Sequence, residues 1–279
     1  MANVKKEGGS KGVGMISGII IVACIFVGWL VWYFIMGNPS NFVNAVEMRK
    51  GAEAGDPVLG NYLAMVYKGG SIVPVLMGLL LMVVVFSIER FSVISKASGK
   101  GNLDSFMKNV QTSIKGGHID EAITACDKQQ GSVANAVKSA LVKYQEVKKE
   151  GFTSEEAAET IHKEIEEATS LEMPMLEKHM TILSTLVALG TLAGLLGTVT
   201  GMIKAFGALA STGTPDQAAL ANGISEALIN TATGISTSAL AIVTYNFFTS
   251  KIDTLTYSID EAGSTIVNTY RKFRGSLKS

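Results

Sequence analysis

Four apolar runs, roughly Val13–Met36, Ser71–Ile88, Ile182–Ala210 and Ile224–Phe248, constrain this chain more than any other feature of its sequence. A helix rises about 1.5 Å per residue, so about 20 apolar residues cross a ~30 Å hydrocarbon core. All four runs approach or exceed that length. The second is the shortest, and Gly69–Gly70 and Phe91 can extend it. A mean hydropathy of +0.31 is concentrated in these runs rather than spread along the chain, which is how membrane spans look. The pattern predicts an all-α integral membrane protein with four transmembrane helices, some extending into a helical domain outside the membrane.

The first run follows Lys5, Lys6 and Lys11 and invites comparison with a cleaved signal peptide. It is too long for a usual apolar signal core, has no A-x-A site, and ends in Trp29, Trp32, Tyr33 and Phe34. An aromatic cluster at that point reads as an interfacial belt, so the run is expected to stay as an anchor. Lys and Arg in short flanks set the orientation. Lys5, Lys6 and Lys11 precede the first run, Arg90, Lys96, Lys100 and Lys108 follow the second, and Lys251, Arg271, Lys272, Arg274 and Lys278 follow the fourth. Residues 211–223 carry no Lys or Arg, only Asp216, and the mixed charges of residues 37–68 are uninformative. Both ends are therefore expected in the cytoplasm.

Net charge is zero, which gives no global field to attract nucleic acid. Cys24 and Cys126 make no disulfide framework, and His118, His162 and His179 lack metal-ligand spacing. No metal site and no cofactor are expected. Residues 91–180 hold most of the remaining mass, with helical patterns such as Leu103–Phe106–Met107–Val110–Ile114 and Ile161–Ile165–Ala168. Gly99, Gly101, Gly116, Gly117, Gly131 and Gly151 punctuate it. Thr153–Ser154–Glu155–Glu156 reads as a capped helix start. The block Glu155–Glu177 is then expected to run as one helix into the third span, with Pro174 as a kink or boundary. Neither glycine–lysine cluster has phosphate-loop spacing, so this region reads as an extension of the bundle and not as a catalytic unit.

The third span carries Gly190, Gly194, Gly197 and Gly201 on one helix face, where small residues let two backbones approach. Thr191 and Thr198 lie seven apart on a neighbouring face, and Lys204 can snorkel to the interface without a partner. On the fourth span Glu226, Asn230, Thr233, Thr237 and Thr244 share a face, and Thr231 and Ser238 form a second polar line beside it. The apolar Leu228, Ile235 and Ile242 are left for lipid or core. Single hydroxyls can bond a carbonyl one turn back, but a whole stripe should face another subunit or a water-filled path. Glu226 is the only carboxylate embedded in any run; it is either functional or a solvated residue at the outer mouth, about 15 Å from the span centre. No serine–histidine or paired-aspartate arrangement lies within the spans, so an intramembrane enzyme is not expected.

The segment Gly194-Leu195-Leu196-Gly197-Thr198-Val199-Thr200-Gly201, with Gly223-Ile224-Ser225-Glu226-Ala227-Leu228-Ile229-Asn230-Thr231-Ala232-Thr233-Gly234, resembles the core of the MotA/TolQ/ExbB proton-channel family, and is most similar to ExbB. Ser87-Ile88-Glu89-Arg90 is similar to the family's exit from its first span. The resemblance implies a ring, a pentamer, around an ExbD-like single-span subunit that supplies a protonatable Asp, with work delivered to a TonB-like protein and outer-membrane transport. It also implies Thr198 and Thr231 as pore-lining threonines and Glu226 as a functional glutamate; Thr191, Asn230, Thr233, Thr237 and Ser238 would be a secondary polar stripe. A TolQ- or MotA-like stator for envelope maintenance or motility, and a self-contained channel or scaffold, are the competing readings. Three departures stand out: Thr200 where many members have Trp, Thr191-Leu192 where a proline is usual, and an additional first span. The implied layout in a bacterial inner membrane is a cytoplasmic N-terminus (1–12), the extra span (13–36) and a periplasmic loop (37–68). A second span (69–90), a cytoplasmic helical domain (91–180) and a third span (181–210) follow. A periplasmic loop (211–223), a fourth span (224–249) and a cytoplasmic helix or tail (250–279) complete it.

Overall fold

The computed structural model describes residues 9–43, 58, 60–150, 152–211 and 217–276. The expected residue-scale features at 1–8, 44–57, Gly151, 212–216 (with Asp216) and 277–279 lie outside the described residues. Among those described there are nine α-helices and no strand. They are α1 (Gly9–Leu30), α2 (Tyr62–Tyr67), α3 (Val73–Ala97), α4 (Leu103–Lys115), α5 (Ile119–Gln129), α6 (Gly131–Glu150), α7 (Ser154–Glu177), α8 (Met180–Ser211) and α9 (Gln217–Ser276). Four stretches, Ser17–Met36, Gly70–Ala97, Ser154–Ala210 and Gln217–Lys272, are long and apolar enough to cross a membrane. The chain is an all-α, multi-pass membrane protein.

Two compact units form, one from Met1–Ser87 with Ile182–Thr244, the other from Ile88–Thr181 with Tyr245–Ser279. In the first unit α1 meets α3 at glycines: a Cβ on Gly28 would lie 2.6 Å from the Gly78 nitrogen and 2.8 Å from the Pro74 carbonyl. Only backbones without side chains can cross so closely. A π-helical turn, Val31–Met36, continues α1, and its terminal carbonyls are taken up by the Asn41 amide, at 2.9 Å from Ile35 O and 3.1 Å from Met36 O. The aromatic side chains at the end of this run stack on one another and on α2, Trp29 on Tyr33 at 5.5 Å and Trp32 on Tyr67 at 4.7 Å. Outward-facing apolar residues such as Ile19, Val22, Val84, Leu192, Ile203 and Ile235 remain exposed, as a surface in contact with acyl chains requires.

In the second unit α4 buries Phe106, Met107, Val110 and Ile114, the face its periodicity predicts. Thr153 caps α7 in a reciprocal box with Glu156. The later part of α9 belongs here too: Ile252, Leu255, Ile259, Ala262, Ile266 and Tyr270 recur every three or four residues and are all buried. Tyr270 packs edge-on to Tyr144 at 5.1 Å, and Gly263 leaves room for Ile165. The segment 250–279 is thus no loose tail as far as residue 276, but one face of a helical core.

The expected continuous helix from Glu155 into the third span is broken. α7 ends at Glu177 and α8 begins at Met180, with His179 in the left-handed region at φ +66°. Arg90, only 1% exposed, supplies the physical reason: its guanidinium donates to the carbonyls of Met175 and Leu176, each at 3.1 Å. These are end-of-helix acceptors that would otherwise be orphaned. The same guanidinium pairs with Glu89, whose carboxylate also meets His179 Nδ1 at 3.2 Å.

Candidate proton pathway

Within the first unit, the spans contributed by α8 and α9 pack antiparallel, and glycines set their separation. Gly190, Gly194, Gly197 and Gly201 are all buried and face α9. A Cβ on Gly194 would stand 3.1 Å from Asn230 O, and one on Gly201 2.9 Å from Ala227 N. Gly234 answers from α9, where a Cβ would fall 2.5 Å from Gly190 O and 2.7 Å from Gly194 Cα. The glycine face is therefore a backbone-to-backbone seam.

Close approach brings side chains into register as rungs. Thr191 donates to Ser238 Oγ at 2.9 Å, and Ser238 donates to Val187 O at 2.7 Å. One heptad along, the hydroxyls of Thr198 and Thr231 bond each other directly, and Thr198 also reaches Gly194 O at 3.3 Å and Ala227 O at 3.5 Å. Farther on, Lys204 Nζ meets Glu226 Oε1 at 2.5 Å. The expectation that Lys204 snorkels without a partner is corrected: antiparallel packing delivers it to the one embedded carboxylate. Each hydroxyl both donates and accepts, so a bridged pair can pass a hydrogen bond along without holding a charge.

The other polar line of α9 turns inward. Asn230 and Thr237 are fully buried within the single chain, so at these positions the line faces neither lipid nor open water. Thr233, Thr237 and Thr244 donate to carbonyls one turn back, at Ile229, Thr233 and Leu240. Asn230 Nδ2 donates to Gly69 O at 2.8 Å, while its Oδ1 is buried without a partner. Gly70, at φ +77°, seats the Glu226 carboxyl group, whose Cδ would lie 2.9 Å from any Cβ added there. Gly69 and Gly70 are site residues that sequence reasoning passed over as span extension; a Gly-Gly pair opening an apolar run, opposite an embedded acid, was the available signal. Among the described residues no group of three or more His, Cys, Asp or Glu could hold a metal.

Fold and site together define a helical membrane protein with a hydroxyl-bridged, glycine-packed hairpin and a single paired carboxylate. Residues 129–261 match the MotA/TolQ/ExbB proton channel family. ExbB-like 3 of Synechocystis sp. is 32% identical over 111 residues, 39% of this chain and 53% of that protein. The biopolymer transport protein ExbB of Xanthomonas campestris pv. campestris (strain B100) is 31% identical over 115 residues, 39% and 46% of the two chains. The Tol-Pal system protein TolQ of Pseudomonas aeruginosa is 32% identical over 105 residues, 38% and 46%. The matches thus span about half the length of these relatives. Just under half of the chain carries the likeness to the MotA/TolQ/ExbB proton channel family.

Proposed function

We propose that this chain is the ring-forming channel or stator subunit of a proton-motive-force-driven motor of the ExbB type. The observation that carries the reading is the Thr198–Thr231 hydroxyl bridge inside a membrane-spanning hairpin, in a family of proton channels. In this reading a pentamer surrounds an ExbD-like single-span subunit, which supplies the protonatable Asp that these spans lack. A TonB-like protein carries the work to outer-membrane transport. Thr198, Thr231 and Glu226 line the path; Thr191 and Ser238 extend the hydroxyl ladder; Asn230, Thr233 and Thr237 hold α9 in place.

The chain then sits in a bacterial inner membrane with both termini cytoplasmic, residues 37–68 and 211–223 periplasmic, and 91–180 and 250–279 cytoplasmic. The likeness to TolQ favours envelope maintenance as the second task such a motor could drive.

The test is purification in mild detergent from native membranes, with mass determination, followed by Thr198→Val and Thr231→Val. A ring holding a sub-stoichiometric single-span protein with an intramembrane Asp is expected, and both variants should assemble while losing driven activity. A ring without such a partner points to a self-contained channel. Variants that transport normally but assemble poorly point to a scaffold.

A further inference from the structure

An apolar cleft of about 510 Å³ opens beside the crossing of α1 and α3, within the first unit. Val22, Phe26, Trp29 and Trp32 line it from one side, Ser71 and Val75 from the other. Sites that take a small apolar molecule measure about 300–1,000 Å³, and the cleft falls in that range. The crossing fixes its floor: a Cβ on Gly78 would lie 2.8 Å from Ile25 Cα, and one on Gly28 2.8 Å from Pro74 O. The helices run antiparallel there, so Trp32 stands level with Ser71, which opens the second apolar run. Val22 lies ten residues away along α1, about 15 Å deeper, or half of a ~30 Å hydrocarbon core. The cleft therefore runs the depth of one leaflet, inward from an aromatic rim. Among the described residues that line it there is no Lys, Arg, Asp or Glu. Trp32 Nε1 is buried, which leaves the Ser71 hydroxyl and the Trp29 indole, both on exposed residues, as its polar groups.

We propose that this cleft binds one acyl chain of a membrane phospholipid, held by the shape and apolarity of the chain and not by its headgroup. A second helix is the competing occupant, and the lining argues against it. Helices approach closely in a membrane where small residues let their backbones meet. Here Gly28 and Gly78 are both taken up by the α1–α3 contact, and what remains around the slot is mostly Val, Phe and Trp. Aromatic stacking stiffens that wall, with Phe26 on Trp29 at 6.3 Å and Trp29 on Tyr33 at 5.5 Å. A helix about 10–12 Å across cannot enter such a slot, whereas a slim, flexible chain can. The mouth is continuous with the lipid-facing surface, where Ile19 and Val22 are exposed, so a chain enters sideways from the bilayer. A phosphate drawn to the rim would exchange water for neutral donors only, so the charge of the headgroup should not matter. The site needs only the membrane-spanning fold; neither a ring nor proton flux enters.

Trp29 and Trp32 are the two tryptophans of the chain, so tryptophan fluorescence reads this cleft alone. The full chain is reconstituted into vesicles of phosphatidylcholine with brominated acyl chains, which quench tryptophan on contact. It is then transferred to micelles of a steroid-based detergent, which offers no competing acyl chain, and quenching is measured in both. Wild type should be quenched in the vesicles and keep most of that quenching in micelles. Phosphatidylglycerol with the same brominated chains should be retained equally. Val22→Phe and Val75→Phe fill the slot from its two sides at exposed positions, and each should lose the retained quenching while quenching in vesicles persists. Val84→Phe, similarly exposed on α3 but outside the lining, should behave as wild type. The proposal is overturned if wild type loses its quenching in micelles as fully as Val75→Phe, which leaves exchanging bilayer lipid only. It is equally overturned if wild type is unquenched in vesicles, which means that protein covers the cleft, or if phosphatidylglycerol alone is retained, which means a headgroup site.

Discussion

Replacing Gly234 by alanine adds one methyl group where there is no room for it. Its Cβ would sit 2.5 Å from Gly190 O, 2.7 Å from Gly194 Cα and 3.0 Å from Gly194 N, all main-chain atoms that cannot swing aside. Relief to ordinary contact at 3.4 Å means parting α8 and α9 locally by about 0.9 Å. The Thr191–Ser238 bond, at 2.9 Å, would then stretch beyond useful hydrogen-bond length. Overpacking of this kind costs about 1–3 kcal/mol. Gly207→Ala is the matched control: same helix pair, same chemistry, nothing within 4 Å of the new atom. There the lost chain entropy of glycine works the other way and should stabilise by about 0.4–1 kcal/mol. Midpoints of denaturant unfolding in mixed micelles, with proton flux measured alongside, read both effects. Gly234→Ala should fall below wild type and lose flux although no polar group was touched. Equal midpoints for the two variants would refute the account of the seam.

Arg90→Met should destabilise the second unit by ~2–3 kcal/mol, because it strands two α7 carbonyls and the partly exposed Glu89; adding Glu89→Gln should recover part of the loss, measured by hydrogen exchange over residues 170–182. Burial, followed by the neighbouring Asp127 carboxylate, pushes the Cys126 thiol up to about 12, so iodoacetamide at about pH 8 should leave it unmodified until the protein unfolds. Labelling of the native protein at a free-thiol rate would contradict this. The Thr153 hydroxyl and backbone N–H hold the Glu156 carboxyl below its ordinary value. The capping box is therefore intact above the carboxylate range and lost as pH falls through it, so amide exchange at residues 153–157 should rise on acidification, and Glu156→Gln should flatten that response.

Local rules carried the reading furthest where a helix announces itself within one or two turns. The α4 stripe, the Thr153 cap and the glycine spacing of α8 are each set by neighbours three to seven residues away. What escaped notice depends on partners far apart in the chain. Arg90 meets carbonyls 85 and 86 residues on, and Asn230 meets a carbonyl 161 residues back. Periodicity marks a polar face but not what it faces, so the Asn230–Thr237 line read like the Thr231–Ser238 line, although only the second forms hydroxyl rungs with α8, and the first meets α8 through the Glu226–Lys204 pair. The break at Lys178–His179 was hidden for the same reason: Pro174 weakens the helix, but the residue that secures its end lies on another one.

Fixing Asn230 to Gly69, Glu226 to Lys204 and Gly234 between Gly190 and Gly194 removes one degree of freedom from this hairpin. Turning α9 by a single residue, about 100°, would break all three at once, so the helix cannot roll about its own axis. A rolling helix is one way a membrane machine can turn ion passage into torque. Within the unit that holds residues 182–244, that route is closed to this hairpin.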